Sequence, residues 1–396
     1  MTHRGRALLG LGLLTYVVAR AFGAKPLYPA AIGLLFVVAL GWLWVRLARG
    51  PMRLRREIAS ENRVEGEDVQ VSLELEHAAT VPPASLVVVE HVSGLGERRT
   101  PLEARHGQYT LKALRRGRYA FAEVRAVIED AFGLQRTEVP LGSASTLLVY
   151  PRLVELERLF SEGGTFAQDG RLLLRRPSGF DLHSVREYEQ GESLRKVHWR
   201  STAKRGELMV KELEDAPRDE VAVLLDAEGG HAGPEAFDVQ VRAAGSLLLA
   251  QVRRGRRAVL LVNGARRTTQ RVHSFETDWQ PAYDLLAAAE PDGRTPVASL
   301  LGDDESAASR ARELTVVTAT LTHQLVERLL QRMLGQRQAA LVFVDPVTFA
   351  PNGVEAPRRP ELLRLQAAGV PVAIVRKGDE LQTKLEAASL GRVAGG

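Results

Sequence analysis

Two apolar stretches open the chain, and a short polar loop separates them. The first covers residues 7–18 and the second covers residues 27–48, with Arg20 to Pro26 between them. A helix of about 20 residues crosses the roughly 30 Å of hydrocarbon in a bilayer. The second stretch meets this length, and the first meets it only if it extends past Arg20, whose charged end would snorkel. The pattern predicts a transmembrane helical hairpin over residues 1–50.

Residues 51–150 change to short alternating or β-branched runs separated by turn residues. Such runs at short spacing are typical of a small β-sandwich. We expect strands at 69–76, 85–91, 108–114, 118–128 and 146–150.

Apolar runs alternate with helical patterns in residues 216–396, and residues 151–215 form a connector. This alternation predicts a doubly wound α/β domain with a parallel sheet. The expected strands are 221–225, 258–262, 314–317, 340–344 and 370–375, and the expected helices are 237–253, 282–289, 321–334 and 361–368.

Basic residues flank the predicted hairpin on both sides. Arg4 and Arg6 precede it, and Arg46, Arg49 and three further arginines up to residue 56 follow its second half. The positive-inside rule therefore places both ends of the hairpin, and the domains after it, in the cytoplasm, as a multi-pass protein of the inner membrane. A cleaved signal peptide is the alternative, although the second stretch would still anchor the product.

Composition narrows the possible chemistry. Among 396 residues, 45% are hydrophobic and 26% are charged, which is typical of a folded protein. The absence of cysteine excludes disulfides, thiolate metal sites and Cys nucleophiles. The chain contains no phosphate-binding P-loop, no H-E-x-x-H helix and no G-x-S-x-G elbow. The net charge of +5 suits nucleic acid, anionic lipid or an acidic protein, and it does not decide among them.

Two segments carry a resemblance to a known family. Arg116-Gly117-Arg118-Tyr119, followed by Asp130-Ala131-Phe132-Gly133-Leu134, resembles the "RG-x-Y … DPFGL" pattern of the domain of unknown function 58 family, with Ala131 at the usual proline position. The run 186–204 is similar to that family's "R-x-Y-x-x-G-D-x-x-R-x-I-x-W-x-x-(S/T)-A" motif, with Glu192 in place of Asp. Its motif positions are Arg186, Tyr188, Gly191, Glu192, Arg195, His198, Trp199, Arg200, Ala203 and Lys204.

These motifs have structural interpretations of their own. We expect Asp130 to cap a turn, with Phe132 and Leu134 closing the sandwich. In the second motif, Trp199 is expected to be a buried anchor and the arginines to form forked hydrogen bonds with nearby glutamates. The alternative is a basic binding surface over residues 195–211.

The resemblance implies that the last domain is of the von Willebrand factor A type. Such domains carry a metal site, Asp-x-Ser-x-Ser, at the end of the first strand, completed by a later Thr and Asp, and it suits Mg²⁺. Here Asp226 is kept, both serines are replaced, by Glu228 and Gly230, and Thr318 has no acidic residue after it. We therefore expect a degenerate site without metal or other cofactor, in which Asp226 accepts backbone hydrogen bonds and caps a loop or the next helix.

The favoured hypothesis is a membrane-anchored, non-enzymatic scaffold. The resemblance implies a MoxR-type AAA+ ATPase as the partner in assembling or activating other complexes. The alternatives are binding of anionic lipid or nucleic acid by segment 195–211, and a hydrolase built on Asp226, Glu228 and His198.

Overall fold

The computed structural model describes residues 1–59, 63–79, 81–142, 144–161, 182–187, 197, 199–213, 220–230, 233–303, 306–350 and 359–387. It divides into two units, Met1–Tyr150 and Pro151–Gly396.

The first unit begins with two helices that pack against each other, α1 (His3–Ala21) and α2 (Leu27–Ala48). Gly12 permits their close approach, since a Cβ there would lie 3.1 Å from the Leu35 side chain. Of the helices in the described ranges, only α2 is long and apolar enough to cross a membrane. One of the two predicted spans therefore meets the requirement, and the charged residues at the ends of α1, Arg4, Arg6 and Arg20, explain why α1 does not.

Two antiparallel sheets follow and share one core. A three-stranded sheet has the order β1-β2-β5, and a second sheet has the order β4-β3-β6-β7, with β8 also paired to β6. In β2, every second residue from Val69 to His77 is buried, which is the alternation of a sheet with one covered face. The strands are β1 (Met52–Ala59), β2 (Val69–His77), β3 (Ser85–Val92), β4 (Gly96–Pro101), β5 (His106–Leu111), β6 (Gly117–Glu129), β7 (Arg136–Pro140) and β8 (Ser145–Val149).

The turn after β6 has the capping predicted for it, but it points its aromatic side chain outward. Asp130 Oδ1 accepts a hydrogen bond of 2.6 Å from Gln135 N–H, and Gly133 N–H donates to Asp130 O at 3.0 Å. Leu134 is buried, whereas Phe132 is 63% exposed. The expectation that Phe132 closes the sandwich is wrong, because the turn places residue 132 at its tip.

The core between the two sheets contains an ion pair. Arg56 and Glu90 are paired with side chains only 4% and 1% exposed, and Tyr109 Oη donates to Glu90 Oε2 at 2.7 Å. The Arg56 guanidinium lies 4.6 Å from the centre of the Phe121 ring. Burial, followed by the hydrogen bond to Glu90, raises the pKa of Tyr109, so its hydroxyl remains a donor.

We expect Glu90→Gln to lower the local opening free energy of the sandwich strands by about 3–5 kcal/mol, because Arg56 would keep a buried charge without a counter-ion. Hydrogen exchange of β1 to β3 in the full chain, read by mass spectrometry, measures it. Glu57→Gln is the matched control, since Glu57 pairs with Arg55 on the surface, where such pairs contribute about 0–1 kcal/mol. Equal effects of the two variants would contradict the prediction.

The second unit contains a six-stranded sheet of order β13-β12-β11-β14-β15-β16. All neighbours are parallel except β13, which runs antiparallel to β12 at the edge. Every residue of β11 and β12 is buried, as expected for central parallel strands. The strands are β11 (Val221–Asp226), β12 (Ala258–Asn263), β13 (Arg267–Val272), β14 (Glu313–Thr318), β15 (Gln338–Val344) and β16 (Val372–Val375).

Helices cover both faces of this sheet. One apolar cluster joins it to α4 (Pro234–Arg253), α5 (Phe275–Ala288) and α10 (Leu381–Ala387). The other joins it to α6 (Val297–Leu301), α7 (Ala307–Arg310), α8 (His323–Leu334) and α9 (Pro360–Ala367). The predicted mixed α/β organisation is confirmed, while β13 and the short helices α6, α7 and α10 were not predicted.

A small two-stranded antiparallel sheet precedes the six-stranded sheet in the sequence. Strands β9 (Leu182–Glu187) and β10 (Met209–Leu213) pair antiparallel, and the seven-residue helix α3 (Trp199–Arg205) lies between them in the chain.

Candidate functional site at the carboxyl edge of the sheet

Four neighbouring strands of the second unit each end in, or are directly followed by, a buried polar residue. Asp226 ends β11, Asn263 ends β12, Thr318 ends β14, and Asp345 follows β15. Each is at most 4% exposed. Ligands of open α/β sheets bind outside the carboxyl ends of the strands, so this edge is the candidate site.

Asp226 is at the centre of the site, and internal donors reach both of its oxygens. Thr318 Oγ1 donates to Oδ2 at 2.6 Å, a length typical of a hydroxyl bonded to a carboxylate. Glu228 N–H donates to Oδ1 at 3.2 Å, and Asn263 Nδ2 is 3.4 Å from the same oxygen. Neutral donors therefore stabilise the buried charge of Asp226.

Thr318 has a second contact that fixes its rotamer. Its Oγ1 accepts a hydrogen bond of 2.8 Å from Thr320 N–H. The hydroxyl also lies 3.0 Å from Thr320 O, but its one proton is best placed toward the nearer, charged oxygen of Asp226. The loop after β14 thereby holds the donor that Asp226 uses.

The loop around residue 293 closes the site over β11 and β12. Gly293 N–H donates to Ala227 O at 2.8 Å, and Gly229 N–H donates to Gly293 O at 2.9 Å. A Cβ at position 293 would lie only 2.4 Å from Asn263 O, so this approach requires glycine. Asn263 Nδ2 donates to Thr295 O at 2.8 Å, while Asn263 Oδ1 is buried without a hydrogen-bond partner in the described part of the chain.

The predicted motif positions after Asp226 have different environments. Glu228 is half-buried, and Gly230 is exposed with a φ of +89°. Asp226 holds its own loop through Glu228 N–H, as predicted. The next helix, α4, has Gly233 at its N-cap and no side-chain cap, so the alternative that Asp226 caps it is wrong.

Asp345 is engaged elsewhere. Its Oδ1 accepts hydrogen bonds from Val347 N–H and from Arg359 Nη2, both at 3.3 Å. The Arg359 guanidinium lies 4.7 Å from the centre of the Phe343 ring. Across the ranges that the structure describes, no three His, Asp or Glu side chains converge in a way that suits a metal ion.

The second sequence motif divides between described and undescribed residues. Tyr188, Gly191, Glu192, Arg195 and His198 lie outside the described residues, and Arg186 is described only as part of the β9 backbone.

The described motif residues Trp199, Arg200, Ala203 and Lys204 lie on α3, and all four are exposed. Trp199 is 67% exposed, so the expectation of a buried anchor is wrong. Helix α3 has no buried residue among those the structure describes; the chain is buried instead just before it, at Val197, and just after it, at Met209.

Sequence reasoning missed Asn263 and Gly293. Asn263 is a polar residue that ends a buried strand beside β11, and this pattern was visible in the sequence. The role of Gly293 depends on contacts with Asn263, Ala227 and Gly229, which lie 30 to 66 positions earlier, and no local pattern indicates them.

Comparisons with known proteins support the family resemblance over part of the chain. Residues 184–348 match the family model described as protein of unknown function DUF58. The chain is also 24% identical over 223 residues to the uncharacterized protein YeaD of Bacillus subtilis (strain 168). That similarity covers 55% of this chain and 54% of YeaD, about half the length of each.

Two solved structures to which the chain is similar have low TM-scores. The bacterial hydrophobin BslA has a TM-score of 0.16 and 14% identity, and the similarity covers 26% of this chain and 100% of that one. Cwp6 from Clostridium difficile has a TM-score of 0.18 and 9% identity, with 84% of this chain and 50% of that one covered. Scores this low carry no argument about either unit.

Replacing Thr318 by valine should destabilise the carboxyl edge although the two side chains have nearly the same shape. Valine removes the donor to Asp226 and leaves a buried carboxylate oxygen short of a hydrogen bond, at a cost of about 1–3 kcal/mol. Hydrogen exchange of β11 and β14 amides in the full chain measures it.

Thr318→Ser serves as the control, because it keeps the hydroxyl and loses one methyl group, worth about 0.8 kcal/mol. If the serine variant proved as unstable as the valine variant, the hydrogen bond to Asp226 would not be what matters.

Proposed function

We propose that this protein is a membrane-anchored, non-enzymatic scaffold whose α/β unit binds a protein partner at the carboxyl edge of its sheet. The observation that carries the proposal is the state of Asp226. Its carboxylate is buried and receives hydrogen bonds from Thr318, Asn263 and Glu228, as in a structural element. A general base or nucleophile has to reach a bound substrate directly or through one water, whereas Asp226 is only 4% exposed.

A von Willebrand factor A type of fold fits the sheet and its edge. In the six-stranded order, β11 occupies the place of the first strand, between β12 and β14, and its last residue is the aspartate that opens the metal site in such domains. Asp226 and Thr318, two of the positions expected to converge there, are hydrogen bonded to each other.

The loop that would complete such a metal site departs from it in a physical way. Gly230 has a left-handed φ of +89°, where a serine would be strained. The half-buried Glu228 occupies the other serine position with a longer side chain. We therefore propose that partner binding at this edge works without a shared cation.

The N-terminal helices serve as the anchor in this proposal. Helix α2 crosses the inner membrane, and α1 returns beside it as the first half of a hairpin, with Arg20 reaching toward the headgroups. Arg4, Arg6 and Arg46 place the shared end of the two helices, and both units, on the cytoplasmic side.

The proposed partner is an AAA+ ATPase of the MoxR type, as the resemblance to the domain of unknown function 58 family implies. The match over residues 184–348 includes the whole Asp226 loop and supports this inference. The scaffold would present other complexes to the ATPase for assembly or activation.

Purification of the tagged full chain from membranes, with a photo-crosslinker and nucleotide present, tests the partner. We expect the ATPase to be recovered with the native chain, and Glu228→Arg to reduce its recovery about tenfold, the effect of about 1.4 kcal/mol. Glu276→Arg makes the same charge change on the first turn of α5, which follows the antiparallel β13 and so begins at the opposite edge. Failure to recover any such ATPase, or equal losses in both variants, would count against the proposal.

A second candidate function rests on α3. Trp199, Arg200, Lys204 and Arg205 are all exposed on this short helix. A large aromatic side chain among cations suits the headgroup region of an anionic membrane, and it also suits stacking on single-stranded nucleic acid. The basic segment 195–211 would then be a binding surface rather than a structural network of arginine–glutamate hydrogen bonds.

Reversing two charges on α3 tests this candidate. Arg200→Glu with Lys204→Glu should weaken binding of phosphatidylserine vesicles by at least about 30-fold, because each lost basic residue costs about 1 kcal/mol and the introduced carboxylates add repulsion. The full chain is held in phosphatidylcholine nanodiscs, and a single-stranded oligonucleotide is the second probe. Arg266→Glu with Arg294→Glu is the control, because it makes the same change in net charge at two exposed loop positions outside α3. Binding of neither probe, or binding insensitive to salt, would exclude this function.

A further inference from the structure

Phe132, the exposed phenylalanine in the turn after β6, lies beside the end of the proposed membrane helix. The turn that carries Phe132 packs against α2, since a Cβ at Gly41 would lie 2.9 Å from Asp130 Oδ2. Gly41 is buried, and its missing side chain is what lets the turn approach.

The same turn also contacts the first turn of α1. Thr2 N–H donates to Leu134 O at 3.0 Å, and Thr2 Oγ1 donates to Gly133 O at 2.7 Å. A Cβ at Gly5 would lie 2.2 Å from Leu134 O, so glycine is required there as well. The turn is therefore held by both helices, at the end where α1 begins and α2 nears its end.

The position of this contact along α2 sets its depth in a bilayer. At 1.5 Å per residue, the 20 residues from Leu27 to Arg46 span about 30 Å, which is the thickness of the hydrocarbon. Gly41 lies about 8 Å before Arg46 on this scale, which is within the roughly 5–10 Å depth at which interfacial apolar side chains enter the boundary between headgroups and acyl chains. Asp130 contacts the helix at that level, and Phe132 is held within about 7 Å of Asp130 by the turn that Gly133 N–H closes.

Charge and side-chain type at this end match a membrane surface. Trp42 and Trp44 are exposed on α2 at the same level, where amphipathic rings favour the interface. Arg46 lies 5.2 Å from the centre of the Trp42 ring, and Arg4 and Arg6 are exposed nearby on α1. These cations suit the phosphates of lipid headgroups.

We propose that Phe132 inserts into the interfacial layer of the bilayer that holds α2, so that the turn 130–135 is a second, interfacial attachment of the β-sandwich to the membrane. This inference rests on the proposed membrane anchor. Such an attachment fixes the sandwich close to the lipid surface, because the turn is hydrogen bonded to α1 and packed on α2.

The absence of cysteine from the chain makes a direct test possible, since Phe132→Cys introduces a unique thiol. The full chain carrying a polarity-sensitive fluorophore at this thiol is reconstituted in vesicles of phosphatidylcholine and phosphatidylglycerol. We expect a blue-shifted emission, and a loss of intensity when some of the lipid carries a nitroxide near the headgroup.

Two further single-thiol variants are the controls. Arg118→Cys lies at the other end of β6, roughly 35 Å along the strand, and should report water and show no quenching by lipid. Phe36→Cys lies at the middle of α2, is 64% exposed, and should be quenched most by a nitroxide deep in the acyl chain.

The outcomes separate this inference from the proposed anchor. If Phe36→Cys is quenched by deep nitroxide while Phe132→Cys reports water, the anchor holds and the interfacial attachment is wrong. If Phe36→Cys also reports water, both are wrong. A blue shift at Phe132→Cys that grows with the protein-to-lipid ratio, without quenching by lipid, would show that a second copy of the chain covers the turn and would overturn the inference.

Discussion

A buried carboxylate has to be given hydrogen-bond donors or it destabilises the fold, and the carboxyl edge of the α/β unit is arranged around this requirement. Asp226 ends a strand on which every residue is buried. Among the described residues, donors to it come from its own loop, from the end of β12 and from the end of β14. The parallel register brings these strand ends together, so the topology of the sheet creates the site.

The β-sandwich satisfies a buried carboxylate in another way. Glu90 is paired with Arg56 and also accepts from Tyr109, so a full positive charge lies beside it. A buried ion pair depends strongly on both partners, because removal of one leaves a bare charge in the core. Asp226 accepts from several neutral donors, and loss of any one of them leaves the others in place. The sandwich core is therefore the more vulnerable of the two to a single change.

The sequence predicts the strands in which either every second residue or every residue is buried. Strand β2 shows its alternation in the sequence, and β11 and β12 show unbroken apolar runs. Strand β1 could not be predicted from the sequence because Arg56 breaks its apolar pattern at a position that faces the core. The buried charge of Arg56 is compensated by Glu90 of the other sheet, which is distant in sequence. Strand β13 could not be predicted either, because it is an edge strand and its side chains are mostly charged or polar, which is common at the edges of sheets.

The candidate site was predictable only at its centre. Asp226 and Thr318 follow from the rule that strand ends converge, and Gly293 does not, because its role is a backbone contact between distant loops. The two large aromatic residues expected inside, Trp199 and Phe132, are exposed. Large aromatic residues tend to be buried, but burial requires another helix or strand to pack over the side chain. Trp199 on a short helix and Phe132 at the tip of a turn are not covered in this way.

Partner binding at this edge without a shared cation, as proposed, would be a different kind of recognition from that of a metal-dependent site. A metal-dependent adhesion site binds its partner by letting a carboxylate take an open position on the cation, so its affinity depends on one strong and directional bond. Both oxygens of Asp226 accept internal hydrogen bonds, and positions 228 and 230 offer no serine hydroxyl to a cation, so the proposal assigns no such bond to these groups. Binding would then depend on the shape of the two loops that are hydrogen bonded to each other, the loop after β11 and the loop around residue 293, and on side chains at their rim such as Glu228. Charges at the rim of an interface mainly affect the rate of association and its salt dependence. Because the proposed contact uses no cation, the partner would bind and be released without any change in metal occupancy.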